Sequence, residues 1–315
     1  MRILLCQRVG GAFGYITDGI LNALKDRGHM VQRWGGDEQS WFQFNPDLYI
    51  GCSGHKQDIP KDSSTKIAIH VNPYGPVNMN GINESRENID WVTSKNPDVV
   101  FGYGFDSDRI IWSYWEQKNN IKWVPMPTAG DKVMFRNLNI ERDLDVVYLG
   151  GRWEYKGLTI DPYLLPVLRD DRITFKLHGW GDWPNNICSG VLEENHVNKF
   201  FNRGKICPCM SERHTHQYGI DIPERAWKVA LCGTLAIHDP VPTLRDKFKS
   251  LVISQNPENF KDLCIYYSRP SNKDERDKLA KEQQEEVLAN HTYHNRLSVL
   301  FDSLDLKDDA EFMLA

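Results

Sequence analysis

No stretch of this 315-residue chain approaches the roughly 18 consecutive apolar residues that a membrane-crossing helix needs. Its amino terminus, MRILLCQRVGG, also lacks the long apolar core of a secretory leader. Both absences predict a cytoplasmic protein with no membrane span. The seven cysteines are an odd number, scattered without framework spacing. That excludes a disulfide scaffold and predicts free thiols in a reducing compartment. A basic surplus is missing too: the formal charge of −5 excludes a protein that coats nucleic acid by phosphate neutralisation alone, while leaving room for a local basic cleft. There are no internal repeats or low-complexity tracts. The dinucleotide fingerprint is absent, and no acidic residue ends the second strand to hold an NAD ribose, which counts against a dehydrogenase.

What is there is enough for two cores. The length and the 40% hydrophobic content suggest two domains of roughly 130–170 residues. Short apolar or β-branched runs bounded by Asn, Pro, Gly or Asp predict strands at Arg2–Cys6, Met30–Trp34, Leu48–Ile50, Lys66–Val71, Val99–Gly102 and Ile121–Val124. A helix is predicted over Tyr15–Arg27, ended by Gly28. The segment Pro125–Asp143, with two prolines, a glycine and a charged cluster, reads as a hinge. A second series then begins at Leu144–Leu149 and continues through Ile173–Leu177, Lys205–Met210, Thr234–His238 and Leu251–Ser254. Asp274–Phe301 reads as one long charged amphipathic helix that packs back across the hinge. The expected organisation is residues 1–130, residues 131–273, and a C-terminal helix and tail over 274–315.

The most informative stretch is KICPCMSERHTHQYGIDIPERAWKVALCGTLAIHD, Lys205–Asp239. It sets a loop rich in His, Glu, Asp and Arg between a buried strand and a helix over Pro223–Cys232. In a parallel α/β sheet, ligands bind at the carboxyl ends of strands, beside the positive amino ends of the following helices. Gly10, Gly11 and Gly14 follow the first strand, where missing β-carbons let backbone N–H groups approach an anion; a plain tight turn is the alternative. Arg152 and Lys156 follow a strand that ends in Gly150-Gly151, a placement suited to a leaving diphosphate, with solvated surface charge as the alternative.

Several pieces, in order, resemble the GT-B glycosyltransferases, in particular the retaining nucleotide-sugar enzymes of the group 1 kind and their spore-maturation-like relatives. They are MRILLCQRVGGAFGYITDGILNALKDRGHMV, IAIHVNPYG, WVPMPTAGDKVMF, YLGGRWEYKG, LHGWG, PERAWKVALCGTLAIHD and HTYHNRLSVLF. The resemblance implies an α/β fold of two Rossmann-like domains facing across a cleft. It further implies a transferase that moves a sugar from a nucleotide-diphosphate sugar to an acceptor with retention and without a metal, the nucleotide sugar being a co-substrate and no other cofactor being needed. Catalytic roles then fall to His70, placed against the donor sugar, and to Arg152 and Lys156, whose separation is one residue shorter than the family's. Donor-binding roles fall to Gly10, Gly11, Gly179, Trp180, Gly181, His216, Asp221, Glu224, Arg225, Lys228 and Thr234.

The chain departs from the family most sharply where two glutamates are expected. Ile220 and Lys228 stand in their places, with Asp221 or Glu224 as substitutes for one of them, and a lysine cannot accept from ribose hydroxyls. This departure keeps two alternatives alive: a non-catalytic nucleotide- or carbohydrate-binding protein on the same scaffold, and a nucleotide-sugar epimerase. Cys207, Cys209, His214 and His216 have zinc-ligand side chains, but C-x-C-x4-H-x-H is unlike the usual C-x2-C spacing, and no metal site is expected. The acceptor is open among a glycan, a protein, a small molecule and a modified nucleic-acid base.

Overall fold

The computed structural model describes residues 1–315 apart from residues 8–11, 61–63 and 76–82, and the side chains of Ala12 and Asn185. The chain forms two compact units, one of Met1–Val133 with Tyr293–Ala315 and one of Met134–Thr292. No helix among the described residues is long and apolar enough to cross a membrane.

In the first unit, strands β1 (Arg2–Cys6), β2 (Met30–Trp34), β3 (Leu48–Cys52), β4 (Lys66–His70), β5 (Val99–Gly102) and β6 (Trp123–Pro125) form one sheet in the order β2-β1-β3-β4-β5-β6. Every pairing in it is parallel. Strands β3 and β5 are buried along their whole length, which is why they read as continuous apolar runs rather than alternating ones. The first helix, Ala12–Asp26, begins three residues before its predicted start.

The second unit repeats the plan with β7 (Leu144–Leu149), β8 (Phe175–His178), β9 (Gly204–Cys209), β10 (Leu235–His238) and β11 (Val252–Ile253), in the order β11-β10-β9-β7-β8, again all parallel. Strand β11 is too short to satisfy β10 along its length. Gln283 completes the ladder: its amide accepts from Ala236 N at 2.9 Å and donates to Ala236 O at 3.0 Å, a buried pairing that fixes the long charged helix against the sheet edge.

The segment predicted as one helix over Asp274–Phe301 is two. A helix over Lys273–Asn290 belongs to the second unit, and one over Tyr293–Ser303 belongs to the first. The break falls at His291 and Thr292, both buried; the His291 ring stacks on Trp227, 4.7 Å between centroids and 24° from parallel, which takes its backbone out of the helical register. Beyond the break, Tyr293 lies in a notch that only a glycine allows. A β-carbon on Gly19 would come within 2.2 Å of the tyrosine ring. Leu297, Leu300 and Phe301 follow it into the core formed by Ile16, Ile20 and Ala23. Burial of several such side chains, each worth about 1.5–3 kcal/mol, makes the helix Tyr293–Ser303 part of the first unit's core.

Candidate functional site

The carboxyl ends of β7, β8, β9 and β10 gather most of the second unit's predicted site residues. The loops leaving β7 and β8 run side by side: Gly150 N donates to His178 O at 3.0 Å, Arg152 N to Trp180 O at 2.9 Å and Asp182 N to Arg152 O at 3.2 Å. The parallel ladder thus continues past the strands and brings Gly150–Arg152 against Gly179–Gly181. No side chain fits between them. A β-carbon at Gly179 would lie 1.9 Å from Gly150 O, and one at Gly181, where φ is +92°, 1.8 Å from Arg152 O. Trp180 lies over Gly151, stacks on Trp153 at 5.5 Å and 13°, and keeps 57% of its surface open. It offers a stacking face rather than filling a core.

Three cations meet this strand-end region in different states. The Arg152 guanidinium is bound in parallel by Asp161, Nε to Oδ1 at 3.0 Å and Nη2 to Oδ2 at 2.6 Å, which raises its pKa above the usual arginine value. It faces an open groove of about 530 Å³ shared with Glu154, Asp161 and Asp182. Lys156 is nearly buried, its Nζ 2.8 Å from Glu212 and 4.7 Å above the Trp153 ring. Burial pulls its pKa below the usual lysine value, and the nearby Arg225 pulls the same way against Glu212. Arg225, in the first turn of the helix Glu224–Leu231, donates through Nε to Leu149 O at 2.8 Å and lies 4.3 Å over the Tyr148 ring. Its Nη1 is shut from solvent and has no hydrogen-bond partner. An unused N–H on a buried guanidinium beside a desolvated lysine is a site that an anion would complete. Arg152, expected beside Lys156 at a leaving diphosphate, is bound by Asp161; the cation near Lys156 that keeps an unpartnered N–H is Arg225.

The loop between β9 and the helix Glu224–Leu231 is held from below by a buried carboxylate. Asp239, at the end of β10, has no exposed surface; it accepts from Ser211 N at 3.1 Å, Ser211 Oγ at 2.9 Å and His216 Nε2 at 2.8 Å, and lies 2.7 Å from His238 Nδ1. Burial alone would raise its pKa, but His238 and His216 outweigh it and hold the carboxyl well below the ordinary range. Burial likewise disfavours charge on His238, and Asp239 reverses that, raising its pKa. Ser211 Oγ lies 3.3 Å from His238 Nε2, so serine, histidine and aspartate are arranged as in a nucleophile triad. All three are sealed from solvent, so the arrangement is a support for His216. His216 itself lies in the short helix Arg213–Tyr218.

The same loop carries Asp221 in the left-handed region, φ +66°, with its buried Oδ1 unpartnered and its Oδ2 3.6 Å from His214 Nε2. Lys228 and Glu224 form a buried i, i+4 ion pair at 2.9 Å. Each charge is therefore answered within the helix. Thr234 lies elsewhere: it precedes β10 at the amino edge of the sheet, donates to Phe201 O at 2.7 Å and accepts from Arg142 at 2.5 Å, so its place is structural. The zinc-type side chains are dispersed. Cys207 and Cys209 are buried in β9, His214 faces Asp221 and His216 is bound to Asp239; among the described residues no group suited to a metal ion occurs. All seven cysteines are free.

In the first unit, Gly10 and Gly11 lie outside the described residues. His70 ends β4, and its side chain is buried. It is 4% exposed, and its ring lies within 5.1 Å of Phe13, 5.6 Å of Phe101 and 4.2 Å of Tyr103, centroid to centroid. Its Nδ1 is 3.7 Å from Cys52 Sγ and its Nε2 has no partner, so burial pushes its pKa down to about 3 and the ring stays neutral.

Asp161, Glu212, Trp153 and the Ser211–His238–Asp239 support were not singled out from the sequence as site residues. Only Asp239 carried a local signal, a carboxylate next to a strand end.

Residues 162–302 match the family described as glycosyl transferase-like. No curated protein matches the chain. Among solved structures the whole chain is similar to a DNA-modifying β-glucosyltransferase studied with and without its substrate uridine diphosphoglucose (12% identity, 100% of this chain and 99% of that one, TM-score 0.60). It is equally similar to T4 phage BGT in complex with its UDP-glucose substrate (11%, 100% and 99%, TM-score 0.61). The sucrose-phosphate synthase of Thermosynechococcus elongatus is a further likeness (12%, 96% and 98%, TM-score 0.60). At such identities these likenesses speak for the fold, and the fold is GT-B: two parallel α/β units in one chain.

Proposed function

We propose that this chain is a glycosyltransferase that moves a sugar from a nucleotide-diphosphate sugar to an acceptor hydroxyl, with retention and without a metal. One observation carries the reading: the Arg225 guanidinium, with an N–H closed to water and unused, stands beside the desolvated Lys156 at the strand ends of a unit that overlaps the glycosyl transferase-like match. When a glycosidic C–O bond breaks, negative charge builds on the leaving diphosphate, and fixed cations that need no reorganisation stabilise it in the transition state. Two such cations supply what a divalent metal would otherwise supply. Trp180 offers a flat face to the nucleobase, and the side-chain-free edges at Gly179 and Gly181 allow close approach of the nucleotide. Arg152, committed to Asp161, orders the loop. His70 stands as a neutral hydrogen-bonding group for the sugar, reached once Phe13 yields.

Two of these structural neighbours have UDP-glucose as their substrate, so UDP-sugars are the first donors to try, and a modified nucleic-acid base stands with glycan, protein and small molecule as an acceptor class. Seven free thiols, six of them buried, suit a reducing, cytoplasmic setting. A thermal-shift screen of UDP-, GDP-, ADP- and TDP-sugars and the free diphosphates, with and without EDTA, tests the reading. The expected result is an upward shift with one nucleotide series, unchanged by EDTA. No shift with any member would overturn it, and proton NMR of the product's anomeric centre decides retention.

A further inference from the structure

The helix Glu154–Leu168 starts without the side-chain cap that a serine, threonine, aspartate or asparagine would give it. Trp153 holds the capping position, its backbone extended at φ −134° and ψ 164°, and its side chain makes no cap hydrogen bond. Such departures from a local rule concentrate at functional positions. The indole is 38% exposed and meets two groups already placed at the strand ends. It stacks on Trp180, 5.5 Å between centroids and 13° from parallel, and the Lys156 Nζ stands 4.7 Å from its centroid. Trp180 belongs to the loop leaving β8, and Lys156 to the first turn of the helix that follows β7. One indole thus joins the surface offered to a base and the cation offered to a diphosphate.

Both contacts use the π-electrons of the ring. A cation is drawn to a ring face most strongly where water is scarce, and the Lys156 side chain is only 12% exposed. Parallel stacking orders two rings that would otherwise turn independently. Trp180 is itself seated on Gly151, where a β-carbon would come within 2.4 Å of its ring. A lysine on a flexible stem loses rotamer freedom when it is fixed, so an anion binds more tightly to a lysine already held by Glu212 and Trp153 than to one it has to order. From these contacts we infer that Trp153 is a positioning residue that couples the two halves of a nucleoside diphosphate: a base on Trp180 fixes Trp153, and Trp153 fixes Lys156 for the diphosphate. The inference rests on the transferase reading and deepens it. It makes the site select diphosphates that carry a base over inorganic pyrophosphate or a sugar 1-phosphate by more than the base's own stacking supplies. The coupling is reciprocal by linkage, and couplings between sites are commonly worth about 5–150-fold in affinity.

Inorganic pyrophosphate is the decisive probe, because it carries no base to stack on Trp180. Any effect of Trp180 on its affinity has to travel through the protein. The test is titration calorimetry of pyrophosphate, and of UDP, GDP, ADP and TDP, against the full chain and the variants Trp180→Ala, Trp153→Leu, Trp153→Phe and Trp153→Leu/Trp180→Ala. Trp180 is 57% exposed, so its truncation opens no core cavity, and melting temperatures check the fold of every variant. The expected result is that Trp180→Ala and Trp153→Leu each weaken pyrophosphate about fivefold or more. Adding Trp180→Ala to Trp153→Leu should then change pyrophosphate by less than about twofold. Trp153→Phe keeps a stacking ring and should stay within about twofold of wild type. An unchanged pyrophosphate affinity in Trp180→Ala, an equal loss from Trp180→Ala in both backgrounds, or a loss in Trp153→Phe as large as in Trp153→Leu would each overturn the inference. So would a chain that binds a nucleoside diphosphate but no pyrophosphate, since Lys156 would then hold no anion without the base. Any of these outcomes with nucleoside diphosphate binding intact sinks this inference alone, whereas a chain that binds neither pyrophosphate nor any nucleoside diphosphate overturns the transferase reading with it.

Discussion

The two units share a plan of parallel strands between helices, yet the described groups at their strand ends differ in kind. In the first unit the predicted catalytic group, His70, is a neutral ring inside an aromatic cage. In the second, the corresponding edge holds Arg225, Lys156, Glu212, His238 and Asp239, all charged or charge-paired and partly withdrawn from water. The fold accommodates both because strand ends expose backbone polarity either way. What differs is electrostatic preorganisation. Charges fixed in place suit a ligand that is itself ionic, whereas a neutral ring suits one that is not.

The sharpest way to break this contrast is to remove the cations. The pair Lys156→Ala and Arg225→Gln is expected to lower nucleotide-sugar turnover on the order of a thousandfold or more, since a single preorganised donor to a developing anion is commonly worth a hundredfold or more. Circular dichroism and melting temperature separate this loss from misfolding. Turnover within tenfold of wild type would place the anion site elsewhere.

The next largest effect is on stability. Asp239→Asn removes the anion beside a buried, charged His238 and is expected to cost about 3–5 kcal/mol by denaturant unfolding. It should also reverse a pH slope. The His238 pKa is raised in the fold, so the stability it contributes is complete below its unfolded value of about 6.5 and fades as pH rises through the folded value. Asp239 is depressed, so its contribution is present above about 3.9 and is lost only as pH falls towards its lower folded value. In the asparagine variant burial alone acts on His238 and lowers its pKa, so stability should rise with pH near neutrality. A variant that still loses stability with rising pH would show that Asp239 does not set the charge of His238.

In the first unit the expectation is the opposite. His70→Leu deletes a buried, unpartnered nitrogen, so stability should change by less than about 1 kcal/mol while turnover falls if the ring touches sugar. A loss of several kcal/mol would reveal a structural hydrogen bond. Smallest of all, Arg152→Ala breaks a partly exposed ion pair with Asp161 and should cost less than about 1 kcal/mol. Turnover should stay within a few-fold; a fall matching that of the Lys156→Ala, Arg225→Gln pair would return Arg152 to the anion site.

Much of the fold was legible. Strands β1, β2, β5 and β7 have the boundaries read from the sequence; for β1, β5 and β7 burial on both faces leaves an unbroken apolar signal, while the exposed edge strand β2 is marked by the turn at Gly28 before it. The helix break at His291 was not legible, since the ring that causes it stacks on Trp227, 64 residues earlier in the sequence. The site was half legible for the same reason. Glycines, cations and the strand-end loops announce a polar edge, but which cation keeps a free donor depends on partners. Asp161 sits nine positions from Arg152, whereas Arg225 meets β7 across the sheet. The burial of His70 is likewise a matter of three aromatic rings from different parts of the first unit.

The notch at Gly19 has a consequence for how the chain comes into being. Tyr293 and the helix behind it complete a core begun by residues made almost three hundred positions earlier. On the ribosome, at about 5–20 residues per second, the intervening residues 134–292 take roughly 10–30 s to appear. Through that interval Ile16, Ile20 and Ala23 lack their cover, and the second unit is the first to have all its residues at hand. A nascent chain arrested after Thr292 would therefore carry a finished C-terminal unit and an unfinished amino-terminal one, the form in which chaperones would meet it.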